Sequence, residues 1–278
     1  PNAVAAWSPD GRQIAYTSIA AWNLRQESGL LAVHVVDLAS GVDRDLTGLS
    51  GRHAVTPTWS PDGRFIAVVA RDVSDAPGAR GLADAGDVET IDVVTGAVAD
   101  LTRGRLPGVI RVLWSPVGPQ LLAYGRGAPL GEGAADPADG LSLARIDVAS
   151  GEIDTLDRAI VSPAPGWAPA WSPNGEAIAY VDDDGVVTIV RSGRQERIPT
   201  GQELLGEVSW SPDGSRLLAP AANPLDSSII VEPDHPAAPP TPLPIAFDST
   251  WPTGTPQWSP LAAGRSPRTA AFGAALDP

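Results

Sequence analysis

One tripeptide, Trp-Ser-Pro, occurs six times in the chain, opening at Trp7, Trp59, Trp114, Trp171, Trp210 and Trp258. Three copies continue as Asp-Gly (Asp10-Gly11, Asp62-Gly63, Asp213-Gly214) and a fourth as Asn174-Gly175. Successive Trp residues lie 52, 55, 57, 39 and 48 positions apart. Spacing of this order marks a repeat architecture, because one such unit cannot bury its apolar face without a neighbour.

The second repeat shows what each unit contains. Val55 to Trp59 is a short extended run, and Ser60-Pro61-Asp62-Gly63 fits a type I turn, with Ser first, Pro second and Gly last. Arg64 to Ala70 is apolar and β-branched enough to be a buried strand. Val88 to Val94 alternates as a third strand, Thr95-Gly96 turns, and Ala97 to Thr102 supplies a fourth. The same second half recurs at Asp37 to Gly41 and at Asp147 to Gly151. Four strands joined by short links and repeated around an axis make a propeller blade. The 29 Pro and 29 Gly are scattered as turn punctuation, which disfavours long helices.

The expectation is an all-β fold, a six-bladed β-propeller of four-stranded antiparallel blades. The approximate blades are 1–53, 54–108, 109–167, 168–204, 205–254 and 255–278, within a single domain. The sixth is incomplete in this chain, with room only for strands near Gln257-Trp258 and Thr269 to Phe272. The repeat Trp residues are expected to pack between neighbouring blades, since large aromatics dominate cores.

Trp-Ser-Pro-Asp-Gly followed by Ile-Ala-Tyr (Ile14-Ala15-Tyr16, Ile178-Ala179-Tyr180) and then Asp-x-x-Ser/Thr-Gly resembles the TolB-type, WD40-like propeller repeat. It is also similar to repeats in the propellers of tricorn proteases and prolyl-peptidase relatives. The resemblance covers nearly the whole chain. It implies an extracytoplasmic, non-enzymatic propeller that acts through protein contacts. The amino-terminal domain that accompanies the TolB propeller has no counterpart in this chain. The third repeat departs from the pattern as Ser115-Pro116-Val117-Gly118-Pro119, and the sixth as Ser259-Pro260-Leu261-Ala262.

Composition removes several function classes. The formal net charge is −14, which disfavours phosphate backbones and anionic membrane surfaces. No apolar run is long enough for a membrane-spanning helix. The absence of Cys excludes disulfides, Cys-ligated zinc and thiol catalysis. The chain contains no Met, which suggests a piece of a longer protein whose upstream part could carry a signal peptide or anchor. All basic residues are Arg, consistent with a GC-rich bacterial source.

Strand order sets which loops share a rim. The Ser-Pro-Asp-Gly and Ser/Thr-Gly turns lie on one rim. The opposite rim carries the long segments Ala20 to Gly29, Asp72 to Gly86 and Gly127 to Gly140, together with the blade links. Irregular loops on a rigid scaffold are where function concentrates. The three Trp outside the repeat, Trp22, Trp167 and Trp251, map to this rim, as do Arg25, His53, Arg80, Arg105 and Arg126. These eight are the candidate ligand- or partner-binding residues. Trp is favoured at binding hot spots; the alternative is that the three indoles cover loop bases.

Asp182 and Asp184 form a weak candidate Ca2+ site, against which Asp-Gly is a strong hairpin signal. No two of the three His, His34, His53 and His235, have metal-ligand spacing on one element. The propeller-fold lyases that act on pectate fragments use a His-rich metal site, which this chain does not match. The hydrolase elbow Gly-x-Ser-x-Gly is absent, as is a Gly-rich phosphate loop. No catalytic constellation or cofactor is expected.

The leading functional expectation is a monomeric periplasmic or extracellular scaffold that binds a protein or peptide through the loop-rich rim. Two alternatives stay open. One is the propeller of a prolyl-oligopeptidase-like serine peptidase severed from its catalytic domain. The other is a carbohydrate-binding or metal-dependent propeller enzyme.

Overall fold

The run from Arg64 to Ala70 is apolar at nearly every position, so a strand there must be covered on both faces. A computed structural model of the protein places it as the second strand of a four-stranded sheet with another sheet on either side. The structure describes residues 5–23, 28–47, 52–72, 86–106, 108–126, 141–160, 168–182, 184–201, 204, 207–219, 229–236 and 238–242. These contain strands, turns and no helix.

The chain divides into two units, Pro1–Ile160 and Val161–Pro278. In the first, sheet one comprises β1 (Ala5–Trp7), β2 (Gln13–Asn23), β3 (Ser28–Asp37) and β4 (Asp43–Asp45). Sheet two comprises β5 (Arg52–Trp59), β6 (Phe65–Asp72), β7 (Asp87–Asp92) and β8 (Val98–Asp100). Sheet three comprises β9 (Val109–Trp114), β10 (Gln120–Arg126), β11 (Leu141–Asp147) and β12 (Ile153–Ile160). In the second unit, sheet four comprises β13 (Ala170–Trp171), β14 (Ala177–Val181), β15 (Val187–Arg191) and β16 (Arg194–Ile198). Sheet five comprises β17 (Ser209–Trp210), β18 (Leu217–Ala219), β19 (Ile229–Val231) and β20 (Thr241–Pro242). Every sheet is an antiparallel meander in chain order. The sixth repeat, with Trp258, lies outside the described residues.

Alternation along β6 explains its apolar run. Ile66 and Val68 join Ala15, Val33, Val35 and Trp59 in the core facing sheet one. Ala67 and Val69 join Val112, Trp114, Leu121 and Ile146 in the core facing sheet three. Each fully buried Val, Leu or Ile side chain contributes about 1.5–3 kcal/mol relative to exposure.

The repeat Trp residues stitch adjacent sheets. Trp59 Nε1 donates to the carbonyl of Ala6 at 3.0 Å, and Trp114 Nε1 to that of Thr58 at 3.0 Å. In the second unit Trp210 Nε1 donates to Ala170 O at 3.1 Å. Each acceptor is the residue preceding the Trp of the previous repeat. The indole therefore buries its body between sheets and satisfies its one polar atom there. Trp7 departs from the expected packing: it is 63% exposed, because no described sheet of its unit covers that side of sheet one. Trp171 is half-buried, and its Nε1 has no partner among the described residues.

The turns bond to themselves. In the first repeat Gly11 N donates to Ser8 O at 2.9 Å, the expected type I closure, with Gly11 at φ 68. Ser8 Oγ donates to Asp10 Oδ1 at 2.7 Å, and Arg12 N donates to the same oxygen at 3.0 Å. Gln13 N donates to Ser8 Oγ at 2.9 Å. The turns at Ser60, Ser172 and Ser211 repeat this pattern.

Two loop expectations need correction. Ala20 to Gly29 is not a loop over most of its length, because β2 and β3 continue to the pair Asn23↔Ser28. Its apolar residues favour pairing, and a register shift between Ile19 and Ala21 accommodates the extension. The link after Gly48 likewise shortens, since β5 begins at Arg52.

Candidate functional site

Chain direction gives unit 1 two chemically different ends. β2, β6 and β10 run away from the Ser-Pro-Asp-Gly turns, and β5 runs towards them. The far ends of these strands therefore share one side. Trp22 lies on β2, His53 on β5 and Arg126 on β10, and all three are far-end positions. Cross-strand pairing adds Arg71 opposite His53 and Asp72 opposite Arg52. The end thus collects cationic, anionic and aromatic residues from strands rather than from the loops where sequence reasoning placed them. Arg25, Arg80, Trp167 and Trp251 lie outside the described residues.

Arg105 belongs to a different environment. Its guanidinium donates to the carbonyls of Leu101 at 2.8 Å, Thr102 at 3.1 Å and Gly151 at 2.9 Å. Gly151 sits in the β11–β12 turn of the next sheet, on the turn side. The link itself stays at the end where β7 begins, since Thr102 Oγ1 and Gly104 N both donate to Asp87 Oδ1, and sheet twist brings the Arg105 guanidinium against the neighbouring outer turn. Arg44 makes an analogous reach, donating to Val93 O at 3.1 Å. Arg105 is tied to backbone.

At the turn end, Asp37, Asp92 and Asp147 are committed to their own backbone. Asp37 Oδ1 accepts from Ser40 N at 2.8 Å, Ser40 Oγ at 2.8 Å and Ala39 N at 3.2 Å. Asp92 and Asp147 repeat the arrangement with Thr95 and Ser150. Bonds of this kind favour the charged form, so Asp37, Asp92 and Asp147 all titrate below the usual carboxylate value. Asp213 is lowered to about 2, first by the Ser211 hydroxyl and then by the Ser215 amide.

The weak cation candidates, Asp182 and Asp184, hold an arginine. Arg197 Nε donates to Asp182 Oδ2 at 2.7 Å, and Arg197 Nη2 pairs with Asp184 Oδ2. Asp182 also accepts from Asp184 N, Val186 N and Thr188 Oγ1. Gly185, at φ 71, closes this turn onto Asp182 O at 3.0 Å. The Asp-Gly hairpin signal accounts for the residues. Among the described residues no group of three His, Asp or Glu side chains could hold a metal ion.

Tyr16, His34 and Asp43, which no sequence motif links, come together on sheet one. Tyr16 Oη donates to Asp43 Oδ2 at 2.7 Å, and His34 Nδ1 stands 3.4 Å from the same oxygen. The Tyr16 and His34 rings stack with centroids 5.4 Å apart. The Asp43 bond raises the Tyr16 pKa. By alternation, these side chains share the face of sheet one opposite Ala15, Val33 and Val35. The pairing of Tyr16 with His34 could have been found from strand register; that of Asp43 depended on the β3–β4 turn length. The cluster brings together a carboxylate, an imidazole and a phenol.

No known protein-family profile matches the chain, and no curated protein matches it. Solved structures do resemble it. The crystal structure of TolB from Acinetobacter baumannii aligns at 21% identity and a TM-score of 0.53, over 84% of this chain and 53% of that one. An oligogalacturonate lyase in complex with manganese aligns at 15% identity and 0.59, over 86% and 63%. A puromycin hydrolase aligns at 19% identity and 0.62, over 94% and 40%. The chain thus spans less than two-thirds of the length of each of these proteins. Identities this low speak to the fold alone, a β-propeller of TolB-like type, and propellers host many functions.

Proposed function

We propose that the protein is a non-enzymatic propeller, working outside the cytoplasm, that binds a protein or peptide through the strand ends opposite its Ser-Pro-Asp-Gly turns. The observation that carries this reading is the gathering of Trp22, Arg52, His53, Arg71, Asp72 and Arg126 at one end of unit 1. Mixed charge beside an aromatic suits a polar polypeptide better than a single-sign anion trap. The turn end is a poorer recognition surface, because Asp10, Asp37 and Asp62 already accept hydrogen bonds from their own turns. No helix among the described residues is long and apolar enough to cross a membrane.

The test is site-specific photo-crosslinking in an extract of the source cells. A photoreactive residue at Trp22 or Arg126 is expected to give a discrete protein adduct, whereas one at Val117 on the turn end gives none. Adducts from Val117 alone would overturn the assignment of the face.

A second reading rests on the hydrolase likeness, in which this chain is covered almost completely and accounts for 40% of the longer protein. On that reading the propeller filters access to a separate catalytic domain. A downstream α/β segment carrying Gly-x-Ser-x-Gly in the same reading frame would establish it over the scaffold.

A further inference from the structure

Four Asn occur in the chain, and one of them, Asn174, precedes Gly. It occupies the turn position that is Asp10, Asp62 or Asp213 in three other repeats. Its Oδ1 takes the same two bonds as those carboxylates, from Ser172 Oγ at 2.7 Å and from Glu176 N at 3.1 Å. The difference lies on the other side of the carboxamide. Asn174 Nδ2 donates to Glu176 Oε2 at 3.0 Å, whereas the corresponding residues after the other Asp-Gly pairs are Arg12, Arg64 and Ser215.

We infer that Asn174-Gly175 is a site of covalent self-modification, a deamidation that the folded turn restrains and that places a carboxylate at position 174. The Gly175 amide nitrogen attacks Asn174 Cγ after losing its proton. The Gly175 N–Asn174 Cγ bond forms, the Cγ–Nδ2 bond breaks, and Nδ2 takes up a proton, equivalent to the one lost from Gly175 N, to leave as ammonia. Water then opens the succinimide, giving Asp or isoaspartate at position 174. Gly175 has no Cβ to obstruct the attack, and Asn174 is exposed.

Three features of the turn oppose the reaction. The attacking nitrogen is donating to Ser172 O at 2.8 Å, so deprotonation must break that bond. The carboxamide is clamped at Oδ1 by Ser172 and Glu176 and at Nδ2 by Glu176. Gly175 is held at φ 70 in a closed type I turn, which limits rotation of the peptide towards Cγ. Ser172 is the keystone, because its buried hydroxyl also accepts from Ala177 N at 2.9 Å. Once formed, Asp at 174 keeps the Oδ1 bonds but sets a carboxylate against Glu176. The modification therefore adds local negative charge and removes a hydrogen bond.

The experiment follows ammonia loss by mass spectrometry of the arginine-bounded peptide from residue 159 to residue 191 in the whole chain. Native protein, urea-unfolded protein and Ser172→Ala are incubated together at mildly alkaline pH. Conversion at Asn174 is expected to be at least about tenfold faster in urea than in the native turn, the factor expected for about one hydrogen bond's free energy. Ser172→Ala should lie between them. Should that variant unfold, Glu176→Ala releases the Nδ2 tie alone and is expected to accelerate conversion more modestly. Equal rates in native and unfolded protein would overturn the restraint, and absence of conversion in urea would overturn the site itself.

Discussion

The Trp-Ser-Pro-Asp-Gly string works at two ranges, and the first two repeats separate them. In the second repeat Trp59 is buried and reaches back across a seam to Ala6, while Ser60 and Asp62 bond only within their own turn. In the first repeat Trp7 is exposed, yet its turn is the same: Ser8 Oγ to Asp10 Oδ1 is 2.7 Å, against 2.5 Å for Ser60 to Asp62. Where no described sheet of the unit covers the indole it is exposed, and the turn is the same. The turn is thus a local property of the pentapeptide, and the seam is a property of two consecutive repeats.

The largest effect expected from this contrast is at the seams. Trp59→Ala or Trp114→Ala should cost about 3–5 kcal/mol, through the cavity and the stranded carbonyl. Trp7→Ala should cost less than about 1 kcal/mol, as for an exposed residue. Urea unfolding of the three variants measures both, and similar losses at Trp7 and Trp59 would break the distinction. A smaller seam effect is expected from Arg105→Ala. It frees the Leu101, Thr102 and Gly151 carbonyls near the surface, where water can replace the guanidinium, so about 1 kcal/mol is expected from the same unfolding curves.

Acid titration probes the local range. The folded pKa of Asp213 is about 2, below the ordinary 3.8. Its contribution to stability is therefore full above about 3.8 and is lost as pH falls through about 2. The shifts of Asp10 and Asp62 have the same sign and, first among their causes, the same Ser hydroxyl bond. Asp62→Asn combined with Asp213→Asn should flatten the fall in thermal midpoint across that window, since Asn174 shows that an amide fits the turn. An unchanged acid slope would mean that these carboxylates contribute nothing beyond what the unfolded chain retains.

The division between local and long-range also explains what could be read from the residues. Strand order within each unit and the turns at Ser8, Ser60, Ser172 and Ser211 were legible, because each is specified by adjacent residues. The packing of Trp59, Trp114 and Trp210 was legible from repetition; the carbonyl that each indole would choose was not. Trp22 was placed in a loop because the register shift that lets β2 run on to Asn23 has no short-range signature, and His53 because β5, with its own shift between Val55 and Thr58, starts as early as Arg52. That Arg105 would be tied to backbone was not legible, because its acceptors depend on how one sheet's outer edge twists over the next. Trp22, His53 and Arg126 lie on β2, β5 and β10.

The third turn offers the finest test of locality. Ser115-Pro116-Val117-Gly118 lacks the Asp, and Gly118 stays outside the left-handed region that Gly11, Gly63 and Gly214 adopt. Val117 is an obvious site for repair because it is 61% exposed and gives up little packing. Yet Asp at 117 would recover only part of the motif. In the intact turns the carboxylate also accepts from the amide two residues on, that of Arg12, Arg64 or Ser215. Here that residue is Pro119, which has no N–H to give and which also restricts the conformation of Gly118 before it. Val117→Asp alone should therefore change stability by no more than about 0.5 kcal/mol. Val117→Asp with Pro119→Arg should add about 1 kcal/mol, one net hydrogen bond at each of two sites less the entropy returned to the unfolded chain by losing Pro. The backbone bond from Val148 N to the residue 119 carbonyl survives the exchange. Additivity of the two single variants in a double-mutant cycle would show that the amide at 119 is not what the turn lacks.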